Sequence, residues 1–338
     1  MILLSGGSGL VGAHLLFYLV NQGREVRAIK RKSSNLEITK KIFSYYSSEY
    51  EDLFSKVEWI DADLMDIFSL EDAMIDIDYI YHSAAMVSYN PKEHAKMLKI
   101  NIDGTANIVN VALRNKVKKL CFVSSIAALG KTDDGELISE TSYWKSTKRN
   151  SKYSISKYGA EREVWRGIEE GLNAVIVNPS VILGPGNWDS GSSKLFSTVW
   201  NGLNFYTNGM TGFVDVRDVV KAMIMLMESD IINQRYLLSS ENISYFDFFG
   251  MVAKYLNKDA PKYLATRFMS EFGWRFEKFS ELISNKSPLI TKETARAANK
   301  TSRFSNEKIK GEFNFEFLPV ETSVKETCEK LLRDKSLI

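Results

Sequence analysis

Four glycines within seven residues, set between an apolar run and an apolar helix pattern, constrain this chain more than any other feature. Residues 2–4 read as a strand, Gly6, Gly7, Gly9 and Gly12 follow, and Leu10, Val11, Leu15, Leu16, Leu19 and Val20 recur at helical spacing. Strand, glycine turn and helix in direct succession bring backbone N–H groups and a helix N-terminus to one point. That arrangement cradles a dinucleotide pyrophosphate. Two registers are open: Gly7-Ser8-Gly9-Leu10-Val11-Gly12 fits G-x-G-x-x-G, and Gly6-x-x-Gly9-x-x-Gly12 fits G-x-x-G-x-x-G.

The first half keeps this rhythm. Residues 25–29, 57–60, 78–82, 119–124 and 173–177 read as strands, and 9–22, 69–75, 92–115 and 153–170 as helices. Such alternation predicts an α/β, Rossmann-type doubly wound parallel sheet covered on both faces. Residues 32–56 are long for a connection and carry Tyr45, Tyr46, Tyr50 and Phe54, so an extra helix covering the sheet is expected. From 179 the chain turns rich in Gly, Ser and aromatics, and 240–338 reads as amphipathic helix. The expected division is a dinucleotide-binding domain of residues 1–178 plus 213–239. A smaller, mostly helical C-terminal substrate lobe takes 179–212 plus 240–338.

With 338 residues there is room for two such units, and a hydrophobic content of 44% with 25% charged is ordinary for a soluble protein. A net charge of +2 gives no global field for nucleic acid, and the basic run 116–119 reads as a solvated helix-to-strand turn. Cys121 and Cys328 suggest no disulfide framework, which fits a reducing compartment. No apolar run approaches the ~20 residues of a membrane helix, and a strand starting at residue 2 leaves no room for a signal peptide. A cytoplasmic protein without a membrane partner is expected. Three histidines, at 14, 82 and 94, and no C-x-x-C give a metal site no support.

Chemistry gathers at a few positions. Tyr153 and Lys157 stand at i and i+4 of a predicted helix, with Cβ atoms about 5–6 Å apart. A phenol titrates near ~10, and a neighbouring cation lowers that value, making Tyr153 a usable acid or base near neutrality. Ser124 and Ser125 follow the fifth strand, at the carboxyl edge where doubly wound sheets bind ligands. Asp63 and Leu64 follow the third strand, with Asp63 suited to an adenine amino group. His82-Ser83-Ala84-Ala85 follows the fourth, where small residues allow close approach of a cofactor; His82 itself reads as a structural histidine. Asn101 lies mid-helix, where Asn is a poor helix former, and so reads as a buried polar group.

On these pieces the chain resembles the extended short-chain dehydrogenase/reductase superfamily. They are Gly6-x-x-Gly9-x-x-Gly12, Asp63-Leu64, His82-x-Ala84-Ala85, Asn101, Ser125, Tyr153-x-x-x-Lys157, Asn178-Pro179-Ser180 and Gly184-Pro185, in this order. The resemblance selects the second glycine register. It implies Tyr153 as proton donor or acceptor, Lys157 on the nicotinamide ribose, and Ser125 on the substrate oxygen. Asn101 would organise the active-site backbone, and Pro179 would lie along the nicotinamide. Gly6, Ser8, Gly9, Leu10, Val11, Gly12, Asp63, Leu64, Ala84 and Ala85 would complete the cofactor site. Related folds dimerise through the helices at 92–115 and 153–170, and a homodimer is the partner this implies. The stretch from Ser125 to Gly130 is similar to the dihydroflavonol reductase and 3β-hydroxysteroid dehydrogenase branches. No acid follows Ser125, which counts against dehydration.

The second strand ends Ala28-Ile29-Lys30-Arg31, with no acid to take a ribose 2′-hydroxyl. A guanidinium there suits a 2′-phosphate, so NADP(H) is preferred over NAD(H). The expected activity is reduction of a ketone or aldehyde, or oxidation of the alcohol, with that small molecule as partner. Epimerisation of a nucleotide sugar by transient oxidation is the alternative, and a non-enzymatic NADP-sensing role is a third reading. Met86, Val87, Trp188 and Phe213 are the expected substrate-pocket residues, while Asp215 and Arg217 read as a structural ion pair.

Overall fold

The computed structural model describes residues 1–130, 136–147, 150–265 and 298–336. The first half runs β1 (Ile2–Ser5), α1 (Leu10–Asn21), β2 (Val26–Lys30), α2 (Glu37–Ser44), α3 (Tyr50–Ser55), β3 (Glu58–Asp61), α4 (Ile67–Ala73), β4 (Tyr79–His82), α5 (His94–Arg114), β5 (Lys119–Val123), β6 (Leu137–Ile138), α6 (Lys152–Glu169) and β7 (Ala174–Pro179). The second half continues with β8 (Val181–Leu183), α7 (Lys194–Trp200), β9 (Phe205–Tyr206), β10 (Met210–Asp215), α8 (Val216–Glu228), β11 (Gln234–Leu238), β12 (Glu241–Ser244), α9 (Tyr245–Leu256), β13 (Tyr263–Leu264), β14 (Arg303–Phe304), α10 (Glu307–Phe313) and α11 (Val320–Ser336).

Seven strands form one parallel sheet in the order β3-β2-β1-β4-β5-β7-β11. The strand order reverses between β1 and β4, which opens a crevice at their carboxyl ends. Successive side chains in a strand alternate faces. Leu4, Ala28, Tyr81, Cys121 and Val175 therefore pack under α1 and α8. Leu3, Ile80, Leu120 and Ile176 pack on the other face under α5 and α6. This two-sided burial is why these strands read as continuous apolar runs.

Four points depart from the sequence reading. Residues 32–56 hold two helices, α2 and α3, whose Phe43 and Phe54 join the core beside α1. β10, whose residues from 213 on were assigned to the dinucleotide-binding domain, pairs with β8 and β12 in a separate three-stranded sheet, so the lobe is less purely helical than its amphipathic pattern suggests. Ile309 and Phe315, assigned to the lobe, pack in the main-sheet core next to Tyr236 and Leu238 of β11. Residues 266–297 of that assignment lie outside the described residues.

The fourth point is Lys119, which is not solvated. It is 5% exposed, and its Nζ donates to the carbonyls of Leu226 and Ser229 at 2.6 Å each, where α8 ends. A cation there satisfies orphan carbonyls and complements the helix dipole.

The lobe core gathers Leu183, Phe196, Val199, Phe213, Phe248, Val252, Cys328 and Leu331. Both cysteines are buried and free.

Candidate active site

The glycine loop is shaped by what a side chain would strike. Gly6 has φ +82°, and a Cβ on it would lie 2.6 Å from the Ala84 nitrogen. A Cβ on Gly12 would lie 2.1 Å from the Gly6 carbonyl oxygen, so the helix can approach the loop this closely only with glycine at 12. Gly9 caps α1 with no side-chain hydrogen bond, and no acidic residue occupies the first turn. The first N–H groups of α1 are thereby left for an anion, and the cradle fits a dinucleotide diphosphate. Ser8 and Gly9 are exposed and Leu10 is half-buried at its rim. The Val11 side chain is 9% exposed and packs in the core.

At the ends of β2 and β3 the register sets Lys30 opposite Asp61, and their side chains pair at 2.5 Å. The charge of Lys30 is thus compensated. Arg31 is exposed, and among the described residues its guanidinium has no acidic partner; its main chain is engaged by Ser34, whose Oγ accepts from the Arg31 N–H at 3.1 Å and whose N–H donates to the Arg31 carbonyl at 2.8 Å. Asp63 is exposed, with one oxygen accepting from the Met65 N–H at 2.9 Å. Leu64 is half-buried against Gly104, and its carbonyl accepts from Asn107.

Past β4 a chain of hydrogen bonds holds the backbone that faces this crevice. Asn101, 2% exposed, accepts from the Met86 N–H at 2.7 Å and donates to the Met86 carbonyl at 2.9 Å. It also donates to Ser156 Oγ at 3.0 Å. Thr105 donates its hydroxyl to the Asn101 carbonyl. It must therefore accept from His82 Nε2, at 3.0 Å, which leaves His82 Nδ1 to accept from Ser5 Oγ at 2.6 Å. Ser5 Oγ accepts in turn from the Ala84 N–H at 3.3 Å. His82 is the structural histidine the sequence suggested. Desolvation holds its pKa down to about 3. Ala85 is exposed beside this chain.

Tyr153, Ser125 and Lys157 converge on the carboxyl edge between β5 and α6. Tyr153 is half-buried on α6, and Ser125, just past β5, accepts at its hydroxyl from the Ala127 N–H at 3.1 Å. Lys157, 3% exposed, donates to the Val123 carbonyl at 2.8 Å and lies 4.8 Å from the Phe122 ring centroid. Burial lowers its pKa to about 8. One expectation is corrected here. Burial raises the Tyr153 pKa, Ser125 opposes that shift, and the Lys157 ammonium is directed at a carbonyl rather than at the phenol. Pro179 is buried at the end of β7.

The expected pocket residues divide. Met86 is held by Asn101, Val87 is 55% exposed, and Tyr89 stands 5.9 Å from the Tyr153 ring. Phe213 is a correction: it is fully buried and stacks on Phe248 at 4.5 Å, leaving no surface for a ligand. Trp188 packs on the lobe core and donates its indole N–H to Asp334 of α11 at 2.7 Å. Asp215 caps α8 and pairs with Arg217 at 2.8 Å, the structural ion pair expected.

Glu161 went unnoticed in the sequence reading. It lies one turn beyond Lys157, is 2% exposed, and accepts from Ser124, Asn178, Arg235 and Trp165. Its signal was a carboxylate on the core-facing stripe of α6, at i+4 from Lys157 and i+8 from Tyr153.

A parallel sheet with a glycine cradle at its switch point and a Ser-Tyr-Lys set at its carboxyl edge defines a nicotinamide-nucleotide-dependent oxidoreductase. The chain belongs to the NAD dependent epimerase/dehydratase family, whose model matches residues 2–238. A putative dihydroflavonol 4-reductase from Synechocystis is 29% identical, over 81% of this chain and 78% of the relative. Cinnamoyl-CoA reductase 1 from Petunia hybrida is 25% identical, over 98% of this chain and 92% of the relative. The crystal structure of gox2253 superposes with a TM-score of 0.81 at 27% identity, covering 99% of this chain and 98% of that one. UDP-glucose 4-epimerase from Thermotoga maritima gives 0.77 at 20% identity, covering 99% of each chain, a likeness of fold. Among the described residues no helix is long and apolar enough to cross a membrane.

Proposed function

We propose that this enzyme is an NADP(H)-dependent reductase of ketones or aldehydes, working also in reverse on the alcohol. The observation that carries the reading is Tyr153 one turn from a buried Lys157 on α6, with Lys157 bonded to the Val123 carbonyl at the strand end that leads into Ser125. The nicotinamide, when bound, supplies or accepts the hydride. Ser125 holds the substrate oxygen, and Tyr153 donates a proton to it as the carbonyl is reduced. Lys157 holds the ribose hydroxyls, and Asn101 keeps the Met86 backbone in place. Gly6, Gly9 and Gly12 admit the diphosphate, Asp63 takes the adenine, and Arg31 takes the 2′-phosphate. The compensated Lys30 and the uncompensated Arg31 support NADP(H), since a guanidinium is suited to bidentate phosphate contacts. The reductase names of the relatives from Synechocystis and Petunia support carbonyl reduction.

Titration of the purified protein with NADPH and NADH, followed by a panel of ketones and aldehydes, tests this. Tighter binding of NADPH and its net oxidation with at least one carbonyl compound are expected. Epimerisation of a nucleotide sugar with no net change in cofactor would overturn it.

A further inference from the structure

Glu161 is a charged group buried deep beside the reacting residues without being one of them. Isolated, a buried carboxylate is strongly disfavoured. Here Oε2 accepts from Ser124 Oγ at 2.6 Å and from Asn178 Nδ2 at 2.7 Å, and Oε1 from Arg235 at 2.9 Å and Trp165 at 3.3 Å. These donors come from the end of β5, the end of β7, the edge strand β11 and α6 itself. Asn178 Nδ2 also reaches the Ser125 carbonyl at 3.1 Å, so the segment bearing the reactive hydroxyl is held from both of its residues. A buried ion pair is a poor device for stability alone, because an apolar pair of similar volume often does better.

We propose that Glu161 is a positioning residue: it clamps the Ser124–Ser125 strand end and Asn178 onto the helix carrying Tyr153 and Lys157. At i+4 from Lys157 on that helix, its carboxylate also acts in favour of the ammonium. This rests on the Ser-Tyr-Lys reading above. The charges around the pair are few. Arg235 of β11 faces Glu161 and is itself held by the Glu140 carbonyl at 2.9 Å. His82 of β4, held neutral by burial, is the further group that feels the Lys157 charge.

The test uses the full-length protein with Glu161→Gln. kcat is expected to fall at least about tenfold, with the NADPH Kd within about threefold, and the alkaline limb of kcat is expected to move down by about one pH unit. Ser124→Ala removes one clamp without a change of charge. It should lower kcat about threefold or more with no shift of that limb, and it stands in if Glu161→Gln does not fold. Unchanged kcat per folded molecule in either variant, or an unmoved limb in Glu161→Gln, overturns the proposal. A substrate-free readout separates this from the functional reading. In protein labelled with 13C at lysine Cε, the Lys157 signal, assigned by its loss in Lys157→Met, should titrate about one pH unit lower in Glu161→Gln. If no carbonyl compound turns over, the functional reading fails, and this titration decides Glu161 by itself: a shift supports the charge role, and no shift refutes it.

Discussion

Tyr153 is a phenol whose environment favours keeping its proton: burial raises its pKa and the Ser125 hydroxyl opposes that shift. A group so placed is suited to donate a proton to a developing alkoxide. Tyr153→Phe should therefore lower kcat by about 100-fold or more, while calorimetric titration finds the NADPH Kd within about threefold. Retained turnover with lost cofactor affinity would contradict that role. Arg31 makes a second prediction. Arg31→Ala should weaken NADPH by about tenfold or more, a charge-assisted pair being worth roughly 1.5–3 kcal/mol, and leave NADH nearly unaffected. Equal weakening of both would mean that the 2′-phosphate is not read there. These residues were legible because phosphate binding and proton transfer demand fixed residue types at fixed spacing within one element. Glu161 was not, because its meaning depends on donors at 124, 178 and 235 that only the folded sheet brings together.

Among the elements, β10 and its neighbours show where pattern reading stops. An aromatic in a Gly- and Ser-rich stretch looks the same whether it lines a pocket or fills a core, and Phe213 fills a core. Phe213→Ala should cost about 3–5 kcal/mol of stability, and Phe213→Leu should lower the Tm with substrate KM unchanged, read by thermal unfolding and steady-state kinetics. Lys119 carries the same lesson. Within a run of basic residues it resembles its solvated neighbours, yet it alone of residues 116–119 reaches the last carbonyls of α8. Six of the seven main-sheet strands, by contrast, were legible to within about two residues, the central ones because two-sided burial writes itself as apolar runs; β11, which opens on Gln234 and Arg235, was not read as a strand.

Across the whole molecule, two buried histidines tie stability to pH. His14 donates from Nε2 to the Pro185 carbonyl at 2.9 Å and accepts at Nδ1 from Tyr46 at 2.6 Å, joining α1 to the segment after β8. Burial lowers its pKa to about 4, and that of His82 to about 3, from 6.5. Both stay neutral in the folded chain while the unfolded chain takes up protons below 6.5. Stability should therefore fall as pH drops from 6.5 toward 4, by roughly 1.4 kcal/mol per unit for each histidine. Urea unfolding at pH 7.5, 6 and 5 checks this, and a flat profile would contradict it. The sheet has a further consequence for how the chain is made. β7 is completed by β11, whose residues 234–238 follow roughly 50 residues after β8. At a synthesis rate of ~5–20 residues per second, β7 stays an open edge for several seconds after it emerges from the ribosome. Through that interval the nascent sheet offers its unpaired hydrogen-bonding groups to any neighbouring chain, so β7 is the strand at which newly made copies would join and aggregate.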